Sequence, residues 1–465
     1  MKKNIFFSLI FFLSNMLFLS CKKAIDKKDL WQPVIKAAAP VSDAAPLCGT
    51  IKGTMLAGKT YTIGCNVIIN EGDTLTIQEG VTINFAGNYG IGVKGTLLSL
   101  GTSAHPNYFT VAGVTKTDQP GANAATDPAF SGKWSGIIAA TTCKLLVIKW
   151  THIEYGGGAT TGDVRTISTA SYPIFFQNPN GVFVLEDSWL YGSTDDPIRT
   201  LGGKIAMFRN TFEKCGYTGG EALNAKAGTI GDFAYNVCIG MATNGPKNSN
   251  SGAIAGVPGS NIRMYNNTII NCGYRRAAAG RGGSINFEQD AGGIAYNNLI
   301  VNCKFGLRVV QNPIADTANL RYGYNFYYGD SLSVLNQIIP SLSISTAISV
   351  PQETDIPKPS TFLPSGWHLG DAYTAPSSLI GANNPQFISG PVPLPAGYNL
   401  RDVVVVGNFN LGLKPTSPCI GAGFTGFSPK ADVPLDPIYG ATEITPPGRD
   451  IGAYQSNGRG NQHQN

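Results

Sequence analysis

The chain carries little charge: Asp, Glu, Lys and Arg make up 14% of its 465 residues, and no long run of like charges occurs. Charged tails and basic arms for nucleic acid are thereby excluded. Setting aside Lys2 and Lys3 leaves 32 basic residues facing 29 acidic ones, a net of +3 that gives no general attraction to a polyanion. Histidine is scarce, with four residues and no close pair, and none of the nine cysteines forms a C-x-x-C motif. A zinc site or other metal cluster is therefore not indicated. Runs of ten or more residues with helical spacing are missing from the repeats, as are regularly spaced leucines, which excludes helical solenoids and leucine-rich repeats. Past Leu19 nothing resembles a membrane span.

What is abundant is glycine, 57 residues, together with Thr, Ile, Val and Asn. That mixture favours short strands with frequent turns, hence an all-β protein. Roughly 400 residues would ordinarily divide into two or three compact domains, but a solenoid escapes that limit because each repeat packs on its neighbours.

The N-terminus indicates the compartment. Lys2 and Lys3 precede a largely apolar stretch from Ile5 to Leu19, slightly short for a bilayer span, and small Ser20 stands before Cys21. The pattern reads as a signal peptide over residues 1–20, and Leu17-Phe18-Leu19-Ser20-Cys21 resembles a bacterial lipobox. That resemblance implies an acylated Cys21 at the start of the mature chain; ordinary secretory cleavage and an uncleaved anchor are the alternatives. Each buried acyl methylene contributes about 0.8 kcal/mol, so several chains on one residue hold it to a membrane. Residues 21–46, with Ala37-Ala38-Ala39-Pro40 and Ala44-Ala45-Pro46, have too few large apolar side chains for a core and read as a tether.

The folded region opens with Val67-Ile68-Ile69-Asn70, Thr74-Leu75-Thr76-Ile77 and Val81-Thr82-Ile83-Asn84-Phe85, short strands separated by turns. Three later segments superpose: Arg209-Asn210 to Cys215, Asn266-Asn267 to Cys272, and Asn297-Asn298 to Cys303. Each sets cysteine five residues after asparagine; the steps between segments are 57 and 31 residues, with Tyr235-Asn236 dividing the longer one. A period of about 26 to 31 follows, one coil of a solenoid per repeat. Asparagine suits the corner because it tolerates the left-handed region and its amide can bond its equivalent one coil away. Cys215, Cys272 and Cys303 are expected to stack as small buried residues, with Cys238 outside the stack, while Cys48 and Cys65 could form a disulfide.

Several stretches resemble bacterial right-handed parallel β-helix proteins, the superfamily of pectate-lyase-like enzymes and many Bacteroidetes surface lipoproteins. They are Gly72-Asp73-Thr74-Leu75-Thr76-Ile77-Gln78-Glu79-Gly80-Val81, Trp134-Ser135-Gly136-Ile137 with Ile153-Glu154-Tyr155-Gly156-Gly157, the paired asparagines, Asn384-Pro385-Gln386-Phe387, Ser417 to Gly423 and Asp450 to Gln455. The resemblance implies a single-stranded right-handed β-helix with capped ends: the helix over 47–330, an irregular insert over 331–378 with a short helix at Leu332 to Ile339, and closing coils with a cap over 379–465. These matches specify fold and leave activity open, because they are turn glycines, ladder asparagines and core aliphatics.

The candidate chemistry gathers in residues 275–308, where Arg275, Arg276, Arg281, Lys304 and Arg308 accompany Glu288 and Asp290 over about two coils. Stacked on one face they would suit an anionic glycan, with the Gly280-Arg281-Gly282-Gly283 loop protruding beside them. Lyases of the resembled superfamily need a cation or calcium to neutralise a uronate and a basic residue to remove the adjacent proton. Solvated loop charges and a structural arginine–carboxylate pair explain the same residues without chemistry. Asp195-Asp196 invites comparison with polygalacturonase-type hydrolases, but the histidine-glycine and Arg-x-Lys of those enzymes are missing, so Ser193 to Pro197 reads as a turn. His152 and Glu154 share one strand face as a hydrogen-bonding pair, and Tyr322, Tyr324, Phe326, Tyr327 and Tyr328 read as the packed edge of the last coil in preference to a sugar platform.

The expected function is a lipid-anchored envelope protein, at the outer membrane or cell surface, that binds a polysaccharide along a solenoid face. Two rivals stand beside it: a lyase acting on anionic glycans, with calcium as its possible ion, and a non-catalytic scaffold in an outer-membrane protein complex. A charged cleft would favour the lyase and a broad apolar patch the scaffold.

Overall fold

The computed structural model describes residues 39–463 except 117–123, 227, 254, 279, 311–313, 339–346, 349–350, 369–370, 372, 395 and 403–408. The signal peptide, Cys21 and most of the tether lie outside the described residues. From Leu47 to Tyr328 the chain winds as a parallel β-helix whose rungs carry strands on three faces. The first face is a ten-stranded sheet running from Gly53–Met55 to Leu320–Gly323. Second and third faces belong to one twenty-stranded sheet, joined through the long strand Thr60–Ile69, whose start pairs Tyr61 with Ile83 and whose end pairs Ile68 with Gly92.

Each rung places alternate side chains inside. On the first face Leu146, Phe183 and Ile205 stack in register, as do Phe212, Cys238, Ile269 and Ile300 on the second. All are buried in one continuous core. Neighbouring rungs of a sheet are separated by about 4.8 Å, so a misplaced methylene is felt by the rungs above and below.

The corner between the first and second faces is two residues long. Its leading residue takes the left-handed conformation at Arg209 (φ 58°), Tyr235 (φ 56°), Asn266 (φ 51°), Asn297 (φ 59°) and Tyr324 (φ 52°). Its second residue builds the ladder: the amide of Asn210 donates to Asn236 at 2.9 Å, Asn236 to Asn267 at 3.3 Å, Asn267 to Asn298 at 2.9 Å, and Asn298 to Asn325 at 3.0 Å. The ladder asparagine is thus selected by its side chain, and its predecessor carries the backbone strain, a correction to the view that one asparagine does both. Cys215, Cys272 and Cys303 are buried free thiols, and Cys238 sits in the Phe212–Ile269 row, outside their alignment as expected. Cys48 and Cys65 form a disulfide at the first rung.

Both ends are closed. The last residues of the expected tether already dock, Val41 donating to the Thr54 carbonyl at 2.8 Å. At the other end Asp355 accepts from the Asn325 backbone N–H at 3.0 Å and ends the ladder, while the helix Leu332–Ile338 buries Val334, Leu335 and Ile338. Phe326, Tyr327 and Tyr328 are buried, and Tyr324 stacks on Phe424 at 4.5 Å, a packed edge as anticipated.

The segment expected to form closing coils does not extend the helix. Its described strands, Phe387–Ser389 and Asn410–Leu413, pair antiparallel in a separate sheet. Beyond Cys419 the chain runs back beside the first two faces as a strap: Phe424 meets Asn297, Thr445 meets Tyr265, Thr442 meets Glu186, and Asp436 meets Lys149. The reason lies in outward-facing residues. Val147, Val184, Ala206 and Phe208 on the first face, and Val237, Ile270 and Leu299 on the second, are apolar and require cover.

Candidate functional site

With the first two faces covered, the outward side of the third face is where the solenoid displays polar chemistry. Early on this face the helix Gly162–Ile167 packs Val164 and Ile167 over Ile68, Ile138 and Phe175. Further along the outward residues turn polar, and the register sets Arg199, Asn224, Lys247, Asn286 and Arg308 in one column. Four rung steps of about 4.8 Å span roughly 19 Å, the length of several sugar rings.

Carboxylates flank this column. Asp196 lies at the corner before the strand Ile198–Leu201, fully buried, with Arg199 Nη2 at 2.9 Å, the Asn224 amide at 2.8 Å and the Glu221 backbone N–H at 2.8 Å. Carboxylate oxygens of Asp195, Asp196 and Glu221 lie within 4.8 Å of one another. Burial pushes the Glu221 carboxyl up to about 8, with the charge of Asp196 adding to the rise, so Glu221 is largely protonated at neutral pH. Arg199, the Asn224 side-chain amide and the Glu221 backbone N–H already satisfy Asp196, and this environment suits them better than a metal ion.

Lys247 lies between two carboxylates, 3.5 Å from Glu221 and 3.1 Å from Glu288. Burial acts to raise the Glu288 carboxyl, but the Lys247 ammonium outweighs it and holds the group below its usual range. Lys226 differs from these partnered groups. Its ammonium has no hydrogen-bond or ion-pair partner among the described residues, and burial, helped by the charge of Lys247, brings it down to about 8. A lysine in that state is part neutral near physiological pH and can accept a proton. The buried side-chain oxygens of Asn224, Asn244 and Asn286 also have no hydrogen-bond partner. A cavity of about 570 Å³ adjoins the column, lined by Ser168–Tyr172, Asp195 and Arg199, with the Arg199 guanidinium 4.4 Å from the Tyr172 ring.

The seven residues singled out from sequence separate accordingly. Glu288 and Arg308 stand on the third face, and Arg281 is exposed close enough to affect the charge of both. Arg275 is a correction: it is buried against the Phe130 ring, and its guanidinium donates to the carbonyls of Cys215, Gly216 and Gly240, which makes it a structural staple. Arg276 donates to the Thr218 carbonyl and Lys304 to the Arg276 carbonyl, so both tie down the 273–284 loop. That loop does not protrude at its glycines: Gly282 and Gly283 are buried, and Arg308 donates to Gly282 at 3.1 Å. Asp290 is also corrected, lying exposed with φ 58° in the turn toward the first face. His152 is stacked between Tyr108 and Trp189, and its Nδ1, 3.9 Å from Glu154, makes no hydrogen bond, a correction to the expected hydrogen-bonding pair; Glu154 instead bonds Thr110 and Lys116.

Sequence reasoning missed Asp196, Arg199, Glu221, Lys226 and Lys247 as a group. Asp195-Asp196 does form a turn, yet the same turn delivers a buried carboxylate to the next rung. Comparison with family models, curated proteins and solved structures found no match for this chain.

Proposed function

We propose that this protein binds an extended polysaccharide along the third face, with the half-buried Arg199 and Lys226 and the exposed Arg281 meeting carboxylates of the polymer and the buried Lys247 and Arg308 holding the surface beneath them. The observation that carries the reading is the register: one column of polar side chains, Arg199 half-buried and Asn224, Lys247, Asn286 and Arg308 buried, is held at rung spacing on a face that the strap does not cover. A rigid comb of donors loses little entropy on binding, which favours a regular polymer over a flexible peptide.

Lys226 favours a second reading, β-elimination on a uronate-containing glycan. Its lowered ammonium suits proton removal, and Arg199 and Lys247 would neutralise the carboxylate beside the scission. The pectate-lyase-like resemblance and the acylated Cys21 at an outer membrane belong to this same proposal, as a soluble polysaccharide site held near the cell surface.

The test incubates the mature chain with uronic-acid polysaccharides, with and without calcium, following absorbance of unsaturated ends and retention on the same polymers. Retention without absorbance supports binding; absorbance that disappears in Lys226→Met supports the lyase. Neither signal on any polymer removes the proposal and favours a protein-contact scaffold.

A further inference from the structure

A second polar cavity lies on the opposite side of the molecule, where the strap crosses the corner between the first two faces. It measures about 660 Å³ and is bounded by Arg209 and Tyr235 from the solenoid and by strap residues 443–449 and 455–460. Ligand pockets commonly enclose roughly 300–1,000 Å³.

Its charges are unequal in freedom. Arg209 is already committed, gripping Asp187 at 2.7 and 2.8 Å and Glu443 at 3.2 Å. Arg449 and Arg459 also line the cavity, both exposed, and their guanidinium groups have no hydrogen-bond or ion-pair partner among the described residues. A third group lacks a partner. Thr445 is 6% exposed, lines the same cavity, and its buried hydroxyl makes no hydrogen bond, although its carbonyl accepts from Tyr265 at 2.7 Å. The remaining wall includes Pro446, Pro447 and Ile444, with Gly458 open to the cavity.

Two unpaired guanidinium forks over a partly apolar wall are matched to an oxyanion, because each fork can donate two parallel hydrogen bonds to one group. We propose that this cavity is a binding site for a sulfate- or phosphate-type oxyanion, either free or carried on a saccharide. The site is composite: the strap supplies the forks and the solenoid supplies the floor. Its ligand therefore holds the strap in place, and ligand binding raises the resistance of the strap to cleavage.

The probes are inorganic sulfate, inorganic phosphate and a sulfated oligosaccharide, titrated into the mature chain by calorimetry at constant ionic strength. A parallel series measures limited proteolysis between residues 424 and 463. Saturable binding is expected, with affinity falling at least roughly tenfold in the Arg449→Ala/Arg459→Ala double variant, the size of losing charge-assisted hydrogen bonds. Both arginines are exposed, so the variant should keep its wild-type melting temperature. Equal binding of all three probes identifies the free ion as sufficient; binding of the oligosaccharide alone identifies a saccharide-borne group. No saturable binding by any probe, or binding unchanged in the double variant, would overturn the proposal. Arg199→Gln on the third face should leave this binding untouched, which separates failure here from failure of the glycan reading.

Discussion

The first and third faces are built from the same rung, with the same parallel pairing and the same inward aliphatics, yet the outward row of one is apolar and that of the other is polar and charged. The difference lies in the alternate residues. On the first face the outward positions are Val147, Val184, Ala206 and Phe208, and the strap covers them with Val433, Tyr439 and Ala441. On the third they are Arg199, Asn224, Lys247, Asn286 and Arg308, of which the first four bond Asp196, Glu221 or Glu288 and the last bonds the carbonyls of Gly280 and Gly282. In a solenoid, backbone geometry therefore says little about where function sits. The outward row does, because a row of apolar residues recruits cover and a row of paired charges can remain a surface.

Removing the cover should break the comparison most severely. A chain ending at Gly423 would expose the apolar first face and leave the buried Lys149, Glu186, Asp187, Arg209 and Asp232 without strap partners. The loss should exceed a typical net stability of roughly 5–15 kcal/mol. The expected result is an aggregated product by sedimentation; a soluble, cooperatively melting product would show that the solenoid needs no strap.

A smaller effect is expected from the proton on the third face. Burial holds the Glu221 carboxyl up at about 8 in the folded state, against 4.5 for an exposed glutamate. The folded state therefore holds a proton that the unfolded chain gives up, and stability is lost as pH rises toward 8. Between about pH 6.5 and 8 the decline should be about 2 kcal/mol in urea denaturation. Glu221→Gln should flatten it, and an unchanged slope in that variant would place the proton elsewhere. Asp232 and Asp355, raised by burial to about 6, titrate mainly below this window.

The smallest stability effects sharpen the contrast between site and scaffold. Arg281→Ala removes an exposed side chain and should change stability by less than about 0.5 kcal/mol. Retention on an anionic glycan should weaken, since the charge of Arg281 acts on both Glu288 and Arg308. Unaltered retention would remove Arg281 from the binding surface.

Much of the architecture was legible because it is local. The asparagine before each second-face strand, the cysteine five residues later and the helix from Leu332 are each set by neighbours in sequence, and the structure places them as read. The site was not legible, for a geometric reason. From the ladder asparagine to the third-face column the distance is 14 residues from Asn210 to Asn224, 11 from Asn236 to Lys247, 19 from Asn267 to Asn286 and 10 from Asn298 to Arg308. The intervening corners differ in length, so residues that stack in space share no fixed period. Clustering by sequence proximity selected Arg275, which the fold turns inward, and passed over Lys226 and Glu221, which lie two rungs or more from Glu288. The strap was hidden for a related reason: its contacts cross up to 293 residues, as between Lys149 and Thr442.

That long reach alters how the solenoid behaves as a cooperative system. A plain stack of repeats can fray rung by rung, since each rung is coupled only to the next. Here one late segment touches rungs from Lys149 to Asn297, so opening any of them also strains contacts held by the others. The strap turns a one-dimensional chain of weak links into a single cooperative unit. It also imposes an order on folding: the rungs form from local contacts, but the unit closes only when the strap docks and His463 reaches Asp187.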